Sequence, residues 1–201
     1  DLEVVAEVGE QHIRLEVGES HAGVPGQPVV HDVLFGAHVR CCFVRVMQRL
    51  NLPDHGVKTK QTPEGGTVFD PVRRKWVALT PEEWVRQHFL QFLVNDLHCP
   101  ASLIAVERQL TLHGLSKRAD LVVHGADGAP LALVECKAPG VKLDQAVFEQ
   151  ASRYNIVFRV AYLFVTNGLQ HYCCRIEHST GAVHFLSEMP GFEAMSGTDR
   201  A

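Results

Sequence analysis

The order of apolar and polar positions is regular from Thr80 onward, and it can be read there as a series of elements. In LTPEEWVRQHFLQFLVNDL (79–97) apolar side chains recur at Val85, Phe89, Phe92 and Leu93, the spacing of one helical face. Thr80 precedes Pro81 and stands three residues before Glu83, so hydroxyl and carboxylate are expected to cap each other's backbone donors, and HCP (98–100) is expected to stop the helix. LIAVERQLTLHG (103–114), KRADLVVHG and APLALVECK read as three strands. A second helix is expected over KLDQAVFEQASRYNIVF, with Asp144 as N-cap and Leu143, Val147, Gln150 and Tyr154 along one stripe. VAYLFVTNG and QHYCCRIEH are two further strands, and GAVHFLSEMP completes the ordered part, leaving 191–201 as a flexible polar tail. Helix, three strands, helix, two strands describes a mixed α/β domain around one sheet.

Upstream the pattern weakens. VFDPVRRKWVAL (68–79) is compatible with a pair of short strands behind the loop TPEGGT, whereas residues 1–46 keep neither a helical nor a strand period. The length of 201 residues, 46% of them apolar, suits one domain with a substantial core. No apolar run approaches a membrane span, and no signal-peptide succession opens the chain, so a cytoplasmic protein without a membrane partner is expected. The six cysteines include two adjacent pairs and no Cys-x-x-Cys, and the twelve histidines form no ligand run, which argues for buried thiols and against a structural zinc site.

Net charge is −4 for the whole chain, with three basic and seven acidic residues in 1–46 against fifteen and fourteen in 47–189. A near-neutral central region neither demands nor forbids a nucleic-acid partner. Its basic cluster at Arg73, Arg74 and Lys75, together with Arg118, is a candidate substrate-binding surface.

The chemistry is concentrated in RADLVVHGADGAPLALVECKAP (118–139). If Asp127 and Gly128 form the tip of a hairpin with a two-residue or symmetric four-residue loop, Asp120 faces Glu135, and Lys137 shares that face. Two opposed carboxylates repel, and a divalent cation between them resolves the repulsion. Mg²⁺ fits best because it prefers hard oxygen ligands and keeps several waters; Mn²⁺ is an alternative. One such water could attack a phosphate whose developing charge Lys137 would stabilise. The same spacing also accommodates a surface ion pair between Lys137 and either carboxylate.

Asp120 followed by Glu135-Cys136-Lys137 resembles the Asp…Glu-x-Lys signature of the PD-(D/E)XK nuclease superfamily, and Gln150-x-x-x-Tyr154 resembles the Gln-x-x-x-Tyr element of its RecB-like branch. The longer stretches MQRLNLP, FDPVRRKWVALTPEEWVRQ, VERQL, KRADLVV, LVECKAP, QASRYN and VTNGLQHYCC closely resemble the N-terminal domain family of type I restriction enzyme R proteins, over Met47 to about Pro190. The resemblance implies a restriction-endonuclease-like αβββαβ core with a central mixed sheet flanked by helices. It also implies a metal held by Asp120, Glu135 and the Cys136 carbonyl, hydrolysis served by Lys137, and a site lined by Gln150 and Tyr154.

Ala119 rather than proline precedes Asp120, which costs no ligand. No Gly-x-x-x-x-Gly-Lys-[Ser/Thr] loop occurs, so these residues hold no ATP site and no translocating motor. Glu83 could add an acidic group, but capping already accounts for it. The segment 1–46 is expected to be an upstream extension, not native or poorly ordered, before a nuclease domain at 47–190. The expected function is a Mg²⁺-dependent DNA endonuclease that hydrolyses phosphodiester bonds, with other restriction or repair subunits as partners. The alternative is a nuclease-fold module that binds nucleic acid or a protein without cutting.

Overall fold

The computed structural model describes residues 5–6, 47–112, 115–149 and 159–197. A small antiparallel sheet comes first, in the order β2 (Thr59–Thr62), β3 (Gly65–Asp70), β4 (Lys75–Ala78), after the two-residue strand β1 (Val5–Ala6). Helix α1 (Pro81–Asn95) follows, then β5 (Ile104–Leu112), β6 (Leu115–His124) and β7 (Pro130–Cys136). A helix whose described part, α2, covers 145–149 leads to β8 (Tyr162–Thr166), β9 (His171–Ile176), β10 (Val183–Leu186) and α3 (Phe192–Gly197). The main sheet has the order β1-β10-β9-β8-β7-β6-β5. Its β7–β8 pair is parallel and its other neighbours are antiparallel. The fold is mixed α/β, and α1-β5-β6-β7-α2-β8 reproduces the αβββαβ order that was expected.

Both faces of this sheet are covered, which is why β7, β8 and the Leu121–Val123 part of β6 are almost continuously apolar. Leu121, Val123, Ala132, Val134, Cys136, Tyr162 and Phe164 pack against Val85, Phe89, Leu90 and Leu93 of α1. Val122, Leu133, Leu163 and Val165 project to the other side and meet Leu143, Val147 and Phe148 around the start of α2. The adjacent Cys173 and Cys174 are split between the two cores, as alternation along a strand requires. Asp144 accepts from the Val147 N–H through its side chain at 3.3 Å, confirming it as the cap of α2.

Three sequence expectations change. Thr80 Oγ1 accepts from the Glu83 N–H at 3.0 Å, but the Glu83 carboxylate turns into the protein toward two arginines, so only half of the reciprocal cap forms. Residues 192–197 form a helix instead of a fraying tail, because Met195 is fully buried in the α1-side core and the Phe192 N–H donates to Leu97 O at 2.8 Å. Of the upstream segment, Val5 and Ala6 pair antiparallel with His184 and Val183 on the sheet edge; its other residues lie outside the described set. Among the described residues no helix is long and apolar enough to cross a membrane.

Gly168 ties the N-terminal segment to the core. Its carbonyl accepts from the Asn51 N–H at 2.7 Å, its φ is +81°, and a β-carbon there would lie 2.7 Å from Leu50 Cδ2 and 3.0 Å from Val85 Cγ2. Gly168→Ala is therefore expected to destabilise the domain by about 1–3 kcal/mol, measured by urea unfolding.

Candidate active site

The hairpin β6–β7 sets the geometry. Its pairs are Leu121↔Val134, Val122↔Leu133 and Val123↔Ala132, the register that was expected. The turn is not the symmetric one assumed. His124 pairs with Pro130, and the Gly125 N–H donates to Ala129 O at 2.8 Å, which alone would shift every pair by one residue. An irregularity between Val123 and His124 restores the register. One step beyond Leu121↔Val134, the same register brings Asp120 level with Glu135, and Asp120 Oδ2 accepts the Cys136 N–H at 2.7 Å.

Lys137 Nζ lies 2.7 Å from Glu135 Oε1, at the mouth of the same strand end. Glu135 is 5% exposed. Burial, reinforced by the negative charge of Asp120, pushes its carboxyl up to about 7 despite the opposing lysine. Burial works against the Lys137 ammonium, yet the hydrogen bond and charge of Glu135 outweigh it and raise the lysine above its ordinary value. The Cys136 thiol is fully buried and pushed up, first by burial and then by Asp120, so its backbone and not its sulfur faces any chemistry here.

Helix α1 supplies a second group of charges that the sequence reading did not assign. Arg86 Nη2 donates to Asp120 Oδ1 at 2.7 Å and to Glu82 Oε1 at 3.3 Å, and Arg86 Nη1 also pairs with Glu83. Arg73 donates to Asp70 Oδ2 at 2.5 Å and Glu83 Oε1 at 3.0 Å, and it pairs with Glu107. Gln87 joins Glu83 at 2.8 Å and Asp70 at 3.1 Å. Glu107 bends β5 through a φ of +51° where the β5–β6 pairing skips from Val106↔Leu121 to Arg108↔Ala119. Arg73 is thus built into the network, on three carboxylates. Arg74 and Lys75 are exposed, and Arg118 is exposed with Glu107 3.6 Å away. Gln150 and Tyr154 lie outside the described residues.

These groups can be tested for their fit to a cation. The buried and half-buried acids Asp70, Glu82, Glu83, Glu107, Asp120 and Glu135 number six, against three cations, Arg73, Arg86 and Lys137. The deficit falls at the Asp120–Glu135 end, where the Glu135 carboxyl is held partly neutral. Among the described residues no three His, Cys, Asp or Glu side chains gather to hold an ion by themselves. An ion here would have two carboxylates, with backbone carbonyl and water completing its shell, which suits Mg²⁺ better than zinc. A cleft of about 370 Å³ opens beside the loop after Lys137, between Pro81 and Trp84 of α1 and Ala138, Pro139 and Gly140.

Two elements of one hairpin and the first turn of a helix thus meet in an acidic, cation-poor centre on a mixed α/β domain. The family model for the type I restriction enzyme R protein N terminus matches residues 81–190, more than half of the chain, and the chain belongs to that family. A fragment assigned to an HsdR subunit of a type I restriction enzyme from Vibrio vulnificus YJ016 is similar in structure over 58% of this chain, at 21% identity and a TM-score of 0.44. The match spans 24% of the length of that solved chain. No curated protein matches.

Proposed function

We propose that this domain is a Mg²⁺-dependent DNA endonuclease that hydrolyses phosphodiester bonds, acting within a larger restriction or repair assembly that supplies the ATP-driven motor. The observation that carries the reading is the buried Glu135 joined to Lys137 and level with Asp120, on a hairpin inside the region that matches the R-protein family. Asp120, Glu135 and the Cys136 carbonyl would hold the ion, and Mn²⁺ could substitute. When bound, the ion would supply a water of lowered pKa and a positive charge facing the attacked phosphate. Lys137 holds an ammonium 2.7 Å from Glu135 Oε1, where it can orient that water and offset negative charge developing on the phosphate. Gln150 and Tyr154, four residues apart in the sequence, would line the same site.

A second reading, a nuclease-fold module that binds without cutting, is favoured by one observation. Both Asp120 oxygens are already satisfied, Oδ1 by Arg86 and Oδ2 by the Cys136 N–H. Titration calorimetry separates the two readings. Mg²⁺ or Mn²⁺ binding that disappears in Asp120→Ala supports the nuclease, and absence of binding by the unmodified domain supports the module.

A further inference from the structure

The small sheet in front of α1 has an outer face that the catalytic reading does not use. Register places Lys60 and Thr67 together, and Phe69 opposite Trp76, on the side away from the buried Val68 and Asp70. The Phe69 and Trp76 rings are 5.4 Å apart, and Trp76 is 39% exposed. Lys60 Nζ stands 4.3 Å from the Trp76 ring centroid. The Lys58 carbonyl accepts the Phe69 N–H at 2.9 Å, which continues the ladder and puts Lys58 on the same side as Lys60. Exposed Arg74 stands at the adjoining β3–β4 turn, and exposed Glu64 lies at the opposite end, in the β2–β3 turn.

We propose that this outer face holds single-stranded DNA beside the catalytic centre, with bases stacking on Trp76 and Phe69 and phosphates meeting Lys58, Lys60 and Arg74. The inference rests on the nuclease reading for the choice of DNA as the nucleic acid. Charge complementarity and the aromatic pair come from the surface itself. A sheet face with aromatic side chains and a basic margin is the arrangement that binds unpaired bases without regard to sequence. A duplex keeps its bases stacked internally and would leave Trp76 unused. The Lys60 ammonium lies over the indole in an exposed and therefore weak cation–π contact, so it can exchange the ring for a phosphate as a base arrives. Arg73, half-buried among the acids of the site, is the neighbour of Arg74, so this face adjoins the N-terminal end of α1. This supplies the local positive surface that a near-neutral domain lacks on average.

The test is fluorescence anisotropy in EDTA with the full chain, a labelled oligothymidylate and a duplex of equal length. The single strand is expected to bind more tightly. Trp76→Ala should weaken it about tenfold or more. Trp76→Phe should retain the affinity while losing the quenching of indole emission that stacking produces. Lys58→Ala/Lys60→Ala should reduce the slope of log K against log salt by about 1–1.5. Unchanged binding in Trp76→Ala and in the double lysine variant, or preference for the duplex, overturns the proposal. Plasmid nicking in Mg²⁺, assayed separately, distinguishes this surface from the nuclease reading. Binding on this face without any cleavage would sink the nuclease and leave the surface standing, whereas cleavage with indifference to Trp76 would do the reverse.

Discussion

Glu135→Ala is expected to abolish Mg²⁺-dependent nicking of supercoiled plasmid while leaving a folded domain. Loss of even an outer partner of a metal site costs about ten- to a hundredfold, so removal of a direct ligand should exceed a hundredfold. The fold should survive because the lost group is a poor contributor to stability. Glu135 is buried beside Asp120, and its carboxyl is displaced from the ordinary 4.5 to about 7, first by burial. With the folded value above the unfolded one, the native state holds the extra proton between these two values. Stability is then lost as pH rises through that window. In metal-free buffer the melting temperature of the unmodified protein, relative to Glu135→Ala, should therefore fall between about pH 5 and pH 8. Added Mg²⁺ should raise the melting temperature of the unmodified protein and not that of the variant. Plasmid nicking by the variant at the unmodified rate would end the metal-site reading.

The hairpin that carries this chemistry was legible for a reason that differs from the one the sequence suggests. Alternation along LVV and LALVE fixes which side chains face α1 and which face α2, and burial on both faces penalises a slip by one residue. The loop was misjudged, since the Gly125–Ala129 pair encloses an odd number of residues where an even one was assumed, and the irregularity at Val123/His124 absorbs the difference. Core burial therefore overrode turn geometry in setting the register. The short helix at 192–197 escaped because its evidence is one side chain, Met195, in a stretch too brief to show a period. The acidic network escaped for another reason. Glu83 and Arg86 look like a solvated i,i+3 pair on a helix, and nothing local in the sequence announces that Asp70, Arg73, Glu107 and Asp120 close over them. Patterns of period can locate a face, but they do not say which charges from distant elements meet on it.

That network yields the largest expected stability effect. Arg86 is 5% exposed and lies against the carboxylates of Glu83 and Asp120. Truncating one partner of a buried pair leaves an uncompensated charge, so Arg86→Ala should lose about 3–5 kcal/mol in urea unfolding. Burial opposes the guanidinium's charge, but Asp120 and Glu83 more than offset this and raise its pKa, so Arg86 remains protonated and no ordinary change of pH imitates the substitution. The cost should shrink when the stranded charge is removed as well. Glu83→Gln/Arg86→Met should be more stable than Arg86→Ala, because one of the two stranded carboxylates is neutralised and the arginine's volume is partly refilled. Arg86→Lys should lie between them, keeping the charge without the fork that spans Glu83 and Asp120. If Arg86→Ala unfolded within about 1 kcal/mol of the unmodified domain, the value typical of an exposed pair, the guanidinium would be peripheral to the fold. Asp120 would then be held in place by the Cys136 N–H instead.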